Sequence, residues 1–257
     1  MNRATEVSAD GTRRAVTRGW VPEAPVAFEF NGLAYAVMMA TPADLEDFCT
    51  GFALAEGLAA SVDDISDIAV AEVELGWIVR ANLSGLGIAQ LTDRVRARVA
   101  ESSCGLCGIE NLAAVAKPLP RVAVHAAIVP AAVFAALRAL RPLQELNNAT
   151  GAAHAAAYYE TDGSIVCLRE DVGRHNALDK LVGALARARQ PLTSGFMLST
   201  ARCSYEIVEK AVRGGATSLV CVSLPTSLAV ERAAAAGLSL WALARDDSVL
   251  LVNDAGK

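Results

Sequence analysis

The chain has 257 residues, a formal net charge of −5 at pH 7 and a hydrophobic fraction of 53%. This acidic balance gives no general attraction for phosphate backbones and argues against a nucleic-acid-binding protein. Arg, Glu, Pro or Gly interrupts every longer apolar stretch, so we expect no membrane-spanning helix. Residues 1–20 scatter charges without an apolar signal region and are predicted to form a disordered lead-in. With six cysteines and no export signal, the protein is expected in the reducing cytoplasm.

Residues 21–120 are predicted to form a smaller N-terminal α+β domain. Asn31-Gly32 between two strand-like runs is typical of a β-hairpin. Thr41 is predicted to cap a helix that Pro42 starts and that ends near Gly57. The further elements are two strands, a short helix and a linker, expected at Ile65 to Val73, Trp77 to Leu83, Leu91 to Val99 and Pro118 to Pro120.

Residues 121–257 alternate strands with helices, which predicts an α/β domain with parallel neighbouring strands and right-handed crossovers. Strands are expected at 155–160, 165–169, 196–199, 218–223 and 238–244. Helices are expected after Asp171 and at 204–213 and 225–236. Ligand sites in such sheets lie where strands end and helices begin, so we expect the site at one edge of this sheet.

The sharpest chemical feature is a glycine-flanked Cys-x-x-Cys loop formed by Cys104 and Cys107. Two thiols at this spacing suit structural zinc, thiol–disulfide exchange or carriage of sulfur as a persulfide. A zinc site would lack the second Cys-x-x-Cys or nearby His that completes four ligands, so no metal is expected. The loop also lacks the strand-to-helix context typical of thioredoxin-like exchange.

Polar residues cluster where the strands of the second half end. Asp171, His175 and Asp179 are spaced four apart, so two carboxylates could orient His175. Ordinary ion pairs on a surface helix would give the same spacing. Arg202 and Thr226 follow the next two strands, at helix starts whose hydroxyl or N–H groups could hold phosphate.

Six stretches in order give the chain a specific resemblance: Gly51 to Gly57, Cys104 to Gly108, Thr150-Gly151 with His154 to Ala156, Glu170 to Lys180, Ser204 to Val208, and Pro225 to Ala229. Over Val21 to Asn253 the chain resembles the formate dehydrogenase accessory sulfurtransferase family, the FdhD type. The resemblance implies a cytidine-deaminase-like fold for the second half. It also implies a cytoplasmic homodimer.

In activity, the resemblance implies a sulfurtransferase that accepts sulfur from a cysteine desulfurase. Cys104, with Cys107 beside it, would hold the sulfur as a persulfide. The recipient would be the molybdenum bis(molybdopterin guanine dinucleotide) cofactor of a formate dehydrogenase apoenzyme. Guanine nucleotides are then expected to bind as fragments of that cofactor.

The resemblance also implies a cofactor-binding stretch, which falls on Leu243, Ala244, Arg245, Asp246, Asp247 and Ser248. The stretch departs from the usual pattern, with Ala242 and Leu243 where Gly-Phe is common and Asp246 where Gly is common. For so large an anion, we predict phosphate contacts from Arg202, Arg245 and Lys180 and a guanine contact from Asp171. His175 and Thr226 complete the predicted binding residues.

Two rival functions stay open. A zinc-dependent deaminase needs His-x-Glu before Pro-Cys-x-x-Cys, but here the cysteine pair precedes His154 and His175, and neither has the Glu. A non-enzymatic chaperone would hold the client enzyme without carrying sulfur. A variant that lacks both cysteines and still matures the client would favour the chaperone.

Overall fold

The computed structural model describes residues 2–85, 91–92 and 117–256. Its strands form sheets of two, four and six strands. One helix packs on the four-stranded sheet, and the helices of the second half cover both faces of the six-stranded sheet. No helix in these ranges combines the length and apolar character that a membrane crossing needs.

The N-terminal segment is a β-hairpin rather than the disordered lead-in that we predicted. β1 (Asn2–Val7) pairs antiparallel with β2 (Arg13–Arg18). The turn contains Gly11 at φ 84°, and the Asp10 carboxylate accepts a hydrogen bond of 2.9 Å from the Thr12 N–H. The prediction weighed only the scattered charges, but Asp-Gly is itself a strong turn signal and opposite charges pair across the strands.

The four-stranded sheet contains the predicted hairpin. β3 (Ala24–Phe30) and β4 (Leu33–Ala40) are joined by Asn31 and Gly32 at φ 52° and 78°, the positive values that a tight hairpin turn needs. β5 (Ile65–Val73) and β6 (Gly76–Leu83) are the two further strands that were predicted, and the strand order of the sheet is β4-β3-β6-β5. The buried rings of the core are Phe28, Phe30, Tyr35, Phe48 and Phe52.

Helix α1 (Leu45–Ala55) begins later than predicted. Asp44 precedes it in a left-handed conformation, with φ 52°. Thr41 does not cap the helix, because its hydroxyl accepts a hydrogen bond of 3.1 Å from the Val172 N–H in the second half of the chain. A long-range contact therefore replaces the local one.

The six-stranded sheet has the order β12-β11-β10-β9-β7-β8. Its strands are β7 (His154–Tyr159), β8 (Ile165–Asp171), β9 (Phe196–Ser199), β10 (Ser218–Cys221), β11 (Ser239–Ala242) and β12 (Leu250–Asn253). The expectation of parallel neighbours holds for β9, β10 and β11. It is wrong for β7 and β12, which run antiparallel to their neighbours because short turns, not helices, connect them to β8 and β11.

The other described helices are α2 (Pro130–Leu143), α3 (Glu145–Thr150), α4 (Arg174–Arg187), α5 (Tyr205–Arg213) and α6 (Ser227–Ala236). Helices α4, α5 and α6 pack on one face of the sheet. Helix α2 packs on the other face. The predicted linker, Pro118 to Pro120, lies in a stretch without helix or strand, and the division into two domains there stays a prediction.

Helices α1 and α4 cross at glycines. A Cβ atom added at Gly183 would overlap the carbonyl oxygen of Asp47, and one added at Gly51 would overlap the carbonyl oxygen of Asp179. The two backbones thus approach too closely for any side chain at the crossing. This contact joins the four-stranded sheet to the six-stranded one.

Gly183→Ala should destabilise the protein by about 2–3 kcal/mol, since the backbones must separate to admit the methyl group. Replacing a glycine inside a helix with alanine would otherwise stabilise the protein by up to about 1 kcal/mol. A net loss of stability would therefore come from the close approach of the α1 and α4 backbones. Urea unfolding measures the difference. Gly85→Ala is the control, because a Cβ there meets no atom of the described residues within 4 Å. Unchanged or raised stability of Gly183→Ala would contradict the prediction.

Candidate functional site

One edge of the six-stranded sheet collects strand ends and helix starts. β8, β9 and β10 end there, and α4, α5 and α6 begin directly after them. The first turn of a helix presents free N–H groups and a partial positive charge. Because three such helix starts meet at one edge of the sheet, this edge suits an anionic ligand.

A group of polar side chains lies where β7 starts and α4 begins. His175 Nε2 lies 3.2 Å from Oε2 of Glu206 on α5, a contact that lowers the pKa of Glu206. Burial lowers the pKa of His154, and the nearby charges of Arg174 and His175 lower it further. An anion bound here would counter that positive charge.

Three buried atoms of this group lack hydrogen-bond partners among the described residues. They are the Nε of Arg174, the Oγ of Ser204 and the Nε2 of His175, which has only its ion-pair contact with Glu206. Ser204 is the residue just before α5, and Arg174 is the first residue of α4. Buried polar atoms normally have a partner, so these atoms are candidates to contact a ligand.

The structure corrects the roles predicted for Asp171 and Lys180. Both side chains are fully buried, and Lys180 Nζ lies 2.5 Å from Asp171 Oδ2. Asp171 also accepts hydrogen bonds from Thr41 N–H (3.0 Å), Gly173 N–H (2.7 Å) and the Asn176 amide (2.9 Å). The carboxylate cannot also bind guanine, and the ammonium cannot reach a phosphate. The pair instead stabilises the junction between β4 and α4.

The predicted orientation of His175 is also wrong. Asp171 is the last residue of β8 and does not belong to α4. The four residues between Asp171 and His175 therefore do not place the two side chains on one helix face. Asp179 is buried, and its two oxygens accept hydrogen bonds of 2.9 and 2.8 Å from Lys210. The carboxylate that His175 contacts belongs to Glu206.

The predicted C-terminal cofactor stretch forms the turn between β11 and β12. Leu243 adopts φ 49°, which is rare for a side chain of this size, and its N–H donates to the Ser223 carbonyl at 3.2 Å. The Arg245 guanidinium donates to the carbonyls of Val222 and Ala244. Arg245, Asp246, Asp247 and Ser248 are exposed. These contacts fix the turn against the end of β10.

Arg202 and Thr226 are both exposed at the same edge, after β9 and β10. The Thr226 hydroxyl accepts a hydrogen bond of 3.3 Å from the Ala229 N–H and so caps α6. The edge therefore brings together His175, Arg202, Thr226 and the stretch from Leu243 to Ser248. It leaves out the buried pair Asp171 and Lys180.

Arg174 and Glu206 were not among the predicted site residues. Both belong to stretches that carry the family resemblance, and both lie in the first turn of a helix that follows a strand. A charged residue in the first helical turn after a strand is the sequence signal that could have identified them. Cys104 and Cys107, the predicted catalytic residues, lie outside the described residues.

Within the described ranges, the His, Cys, Asp and Glu side chains form no group of three or more that could hold a metal ion.

A separate cavity of about 570 Å³ lies between the start of α1, helix α3 and β8. Its lining includes Thr41, Asp44, Leu146, Arg169 and Glu170. None of the predicted cofactor residues lines it. The Glu170 carboxylate is engaged there by the N–H groups of Leu146 and Asn147 at the start of α3.

Comparison with known proteins agrees with the resemblance. Residues 21–256 match the family model described as the FdhD/NarQ family. A sulfur carrier protein FdhD of Variovorax paradoxus is 44% identical over 235 residues, covering 91% of this chain and 84% of the relative. One of Bordetella petrii is 43% identical over 224 residues, covering 87% and 81%.

A solved structure shows the same fold. It is a crystal structure of a candidate formate dehydrogenase accessory protein from Desulfotalea psychrophila, with a TM-score of 0.77 and 22% sequence identity. The match covers 99% of this chain and 96% of that one. The predicted α/β fold class is thus confirmed. On the match over residues 21–256 and the identity to these relatives, the chain belongs to the FdhD/NarQ family.

Proposed function

We propose that this protein is a sulfur carrier that holds sulfur as a persulfide on Cys104, with Cys107 assisting. The observation that carries the proposal is the 44% identity to a relative named as a sulfur carrier protein. A glycine-flanked cysteine pair supplies the chemistry, because a thiolate must accept the sulfur and a bulky donor must reach it.

The other four cysteines support this assignment, because the structure makes them poor acceptors. Cys49, Cys203 and Cys221 are fully buried. Burial raises the pKa of Cys49 to about 12 and raises the pKa of the half-buried Cys167. A donor protein could not reach the buried thiols without local unfolding.

Persulfide formation can be tested directly. Incubation with a cysteine desulfurase and free cysteine should add the mass of one sulfur atom to the intact protein. Cys104→Ala should remove this gain, whereas Cys167→Ala should keep it. Peptide mapping that located the sulfur only on Cys203 or Cys49 would contradict the proposal.

As recipient we propose the molybdenum bis(molybdopterin guanine dinucleotide) cofactor of a formate dehydrogenase. The sheet edge supports this proposal through Arg174, Arg202 and Arg245 and the starts of α4, α5 and α6. Together these groups suit the phosphates of a dinucleotide. We further propose that the protein acts as a cytoplasmic homodimer, with a cysteine desulfurase as sulfur donor.

The proposed recipient predicts a preference for guanine nucleotides. GDP should bind at least about tenfold more tightly than ADP, since guanine offers two adjacent N–H donors to one carboxylate. With Asp171 buried, Asp246 and Asp247 are the exposed carboxylates of the cofactor stretch that could accept them. Calorimetric titration measures both affinities. Equal affinities would refute base recognition and leave only phosphate contacts.

A matched pair of variants separates phosphate from base contacts. Arg174→Gln should weaken the binding of GDP and of ADP by the same factor, because a guanidinium near the phosphates does not contact the base. Arg138→Gln should change neither affinity, because Arg138 is exposed on α2, which packs on the opposite face of the sheet from α4. Persulfide loading should be unchanged in both variants.

A further inference from the structure

The N-terminal hairpin, formed by β1 and β2, is separate from the two larger sheets. Its strands pair only with each other, and neither strand contains a buried residue. A two-stranded hairpin without a packed face is only marginally stable in water. The family match begins at residue 21, so the hairpin also lies outside the part of the chain that matches the family model. Another molecule is therefore the natural source of a packing surface for it.

One face of the hairpin carries positive charge without a compensating acid. On the opposite face, the Glu6 carboxylate lies 2.6 Å from the Arg14 guanidinium and 3.8 Å from that of Arg18. Arg3 and Arg13 have no such ion pair with a described residue. The residues that share their face are all exposed: Arg3, Thr5, Val7, Arg13, Ala15 and Thr17.

The rest of the chain has the opposite charge. Residues 1–20 contain four arginines, one Glu and one Asp, a net charge of +2. The whole chain carries −5, so the residues after the hairpin carry −7. A second copy of the chain therefore attracts the hairpin. A nucleic acid or an anionic membrane would attract the hairpin but repel the rest of the chain.

The acidic surface that fits the hairpin lies on β5, at one edge of the four-stranded sheet. Asp67 and Glu72 on this strand and Glu74 after it are exposed, and none forms an ion pair with a described Lys or Arg. No described strand pairs with the outer edge of β5. Two β5 strands would repel each other through these carboxylates, whereas a basic strand would be attracted.

We propose that the hairpin is a dimerisation arm, in which β2 of one copy adds antiparallel to the free edge of β5 in a second copy. The exchange is reciprocal, because each copy has one hairpin and one β5. This inference rests on the homodimer proposed above and names its interface. It involves neither the cysteine loop nor the candidate cofactor edge.

Length and charge select the register of this pairing. The six residues of β2, Arg13 to Arg18, match in length the six residues of β5 from Asp67 to Glu72. Antiparallel alignment then places Arg13 opposite Glu72 and Arg18 beside Asp67, so that opposite charges meet at both ends. The pairing of β5 with β6 is regular from Ala69 to the end of the strand, so this part of β5 can accept a further strand on its free edge.

Removal of residues 2–20 tests the arm. The shortened chain keeps the residues that match the family model, so we expect it to fold. Sedimentation equilibrium should show a full-length dimer whose Kd rises at least about tenfold when the arm is removed. Added salt should weaken the full-length dimer more than the shortened one. Equal dissociation constants for the two chains would overturn the proposal.

Charge reversal in the full chain tests the register. Arg13→Glu and Glu72→Arg should each raise the Kd at least about fivefold, and the double variant should restore it to within about twofold of the unmodified value. Arg138→Glu and Glu231→Arg, at exposed positions on α2 and α6, make the same changes in net charge and should leave the Kd unchanged. A double variant without recovery would overturn the pairing of β2 with β5.

Hydrogen exchange locates the contact. The amides from Ala69 to Val73 should exchange more slowly in the full-length dimer than in the shortened chain at the same concentration. Protection of another segment in their place would overturn the choice of β5. A full-length chain that is monomeric at every concentration would overturn both the homodimer and the arm. Persulfide loading on Cys104 in the same sample reports separately on the proposed sulfur carriage.

Discussion

Cys104→Ala should reduce formate dehydrogenase maturation to the level of cells that lack this protein. Under the proposed function the thiolate holds the sulfur, and the methyl group of alanine cannot. No described cysteine can replace it readily, since Cys49, Cys203 and Cys221 are buried and the pKa of Cys167 is raised. Formate dehydrogenase activity in a complemented deletion strain measures the effect.

A control distinguishes loss of the sulfur-carrying thiol from loss of protein stability. Purified Cys104→Ala should unfold at the same temperature as the unmodified protein, and Cys167→Ala should support full client activity. A double variant, Cys104→Ala/Cys107→Ala, that still matured the client would contradict sulfur carriage and favour a chaperone that only holds the apoenzyme.

Lys180→Met should lower the free energy of unfolding by about 3–5 kcal/mol, because it leaves the Asp171 carboxylate buried without its cation. Both side chains are fully buried, and the ammonium also donates a hydrogen bond of 2.8 Å to the Thr41 carbonyl. Urea unfolding at neutral pH measures the change.

An exposed ion pair provides the comparison. Arg189 pairs with Asp63, and their side chains are 69% and 65% exposed, so Arg189→Ala should cost less than about 1 kcal/mol. The double variant Asp171→Leu/Lys180→Met should recover part of the stability lost in Lys180→Met, because it removes the unpaired charge. A cost below about 1 kcal/mol for Lys180→Met would show that the buried pair contributes little.

Local signals predicted most of the elements. Asn31-Gly32 identified the hairpin, and alternating strands and helices located β9, α5, β10 and α6 to within a few residues. Helix α2 was not predicted, although Pro130 at its first turn is a start signal and its buried residues Val133, Ala136 and Leu140 recur at helical spacing. The start of α1 was misplaced because Thr41 makes a tertiary contact that no local pattern records.

The candidate site could be predicted from the sequence less completely than the fold. The edge itself could be predicted, because it follows from the order of strands and helices. Which charged groups face a ligand could not be predicted, because Asp171, Lys180 and Arg174 are all charged and only the fold decides which of them is fully buried. Each of the two buried groups has a backbone partner on Thr41, which lies more than a hundred positions earlier in the chain.

The close contact of α1 and α4 at Gly51 and Gly183 bears on whether the second half of the chain could fold as a separate fragment. A fragment that starts at the predicted linker would keep the six-stranded sheet but lose α1, which leaves the surface around Gly183 open to water. It would also lose Thr41, so that Asp171 and Lys180 would each lack a backbone partner. We therefore expect the half that carries the six-stranded sheet not to fold alone unless the surface of α4 is changed.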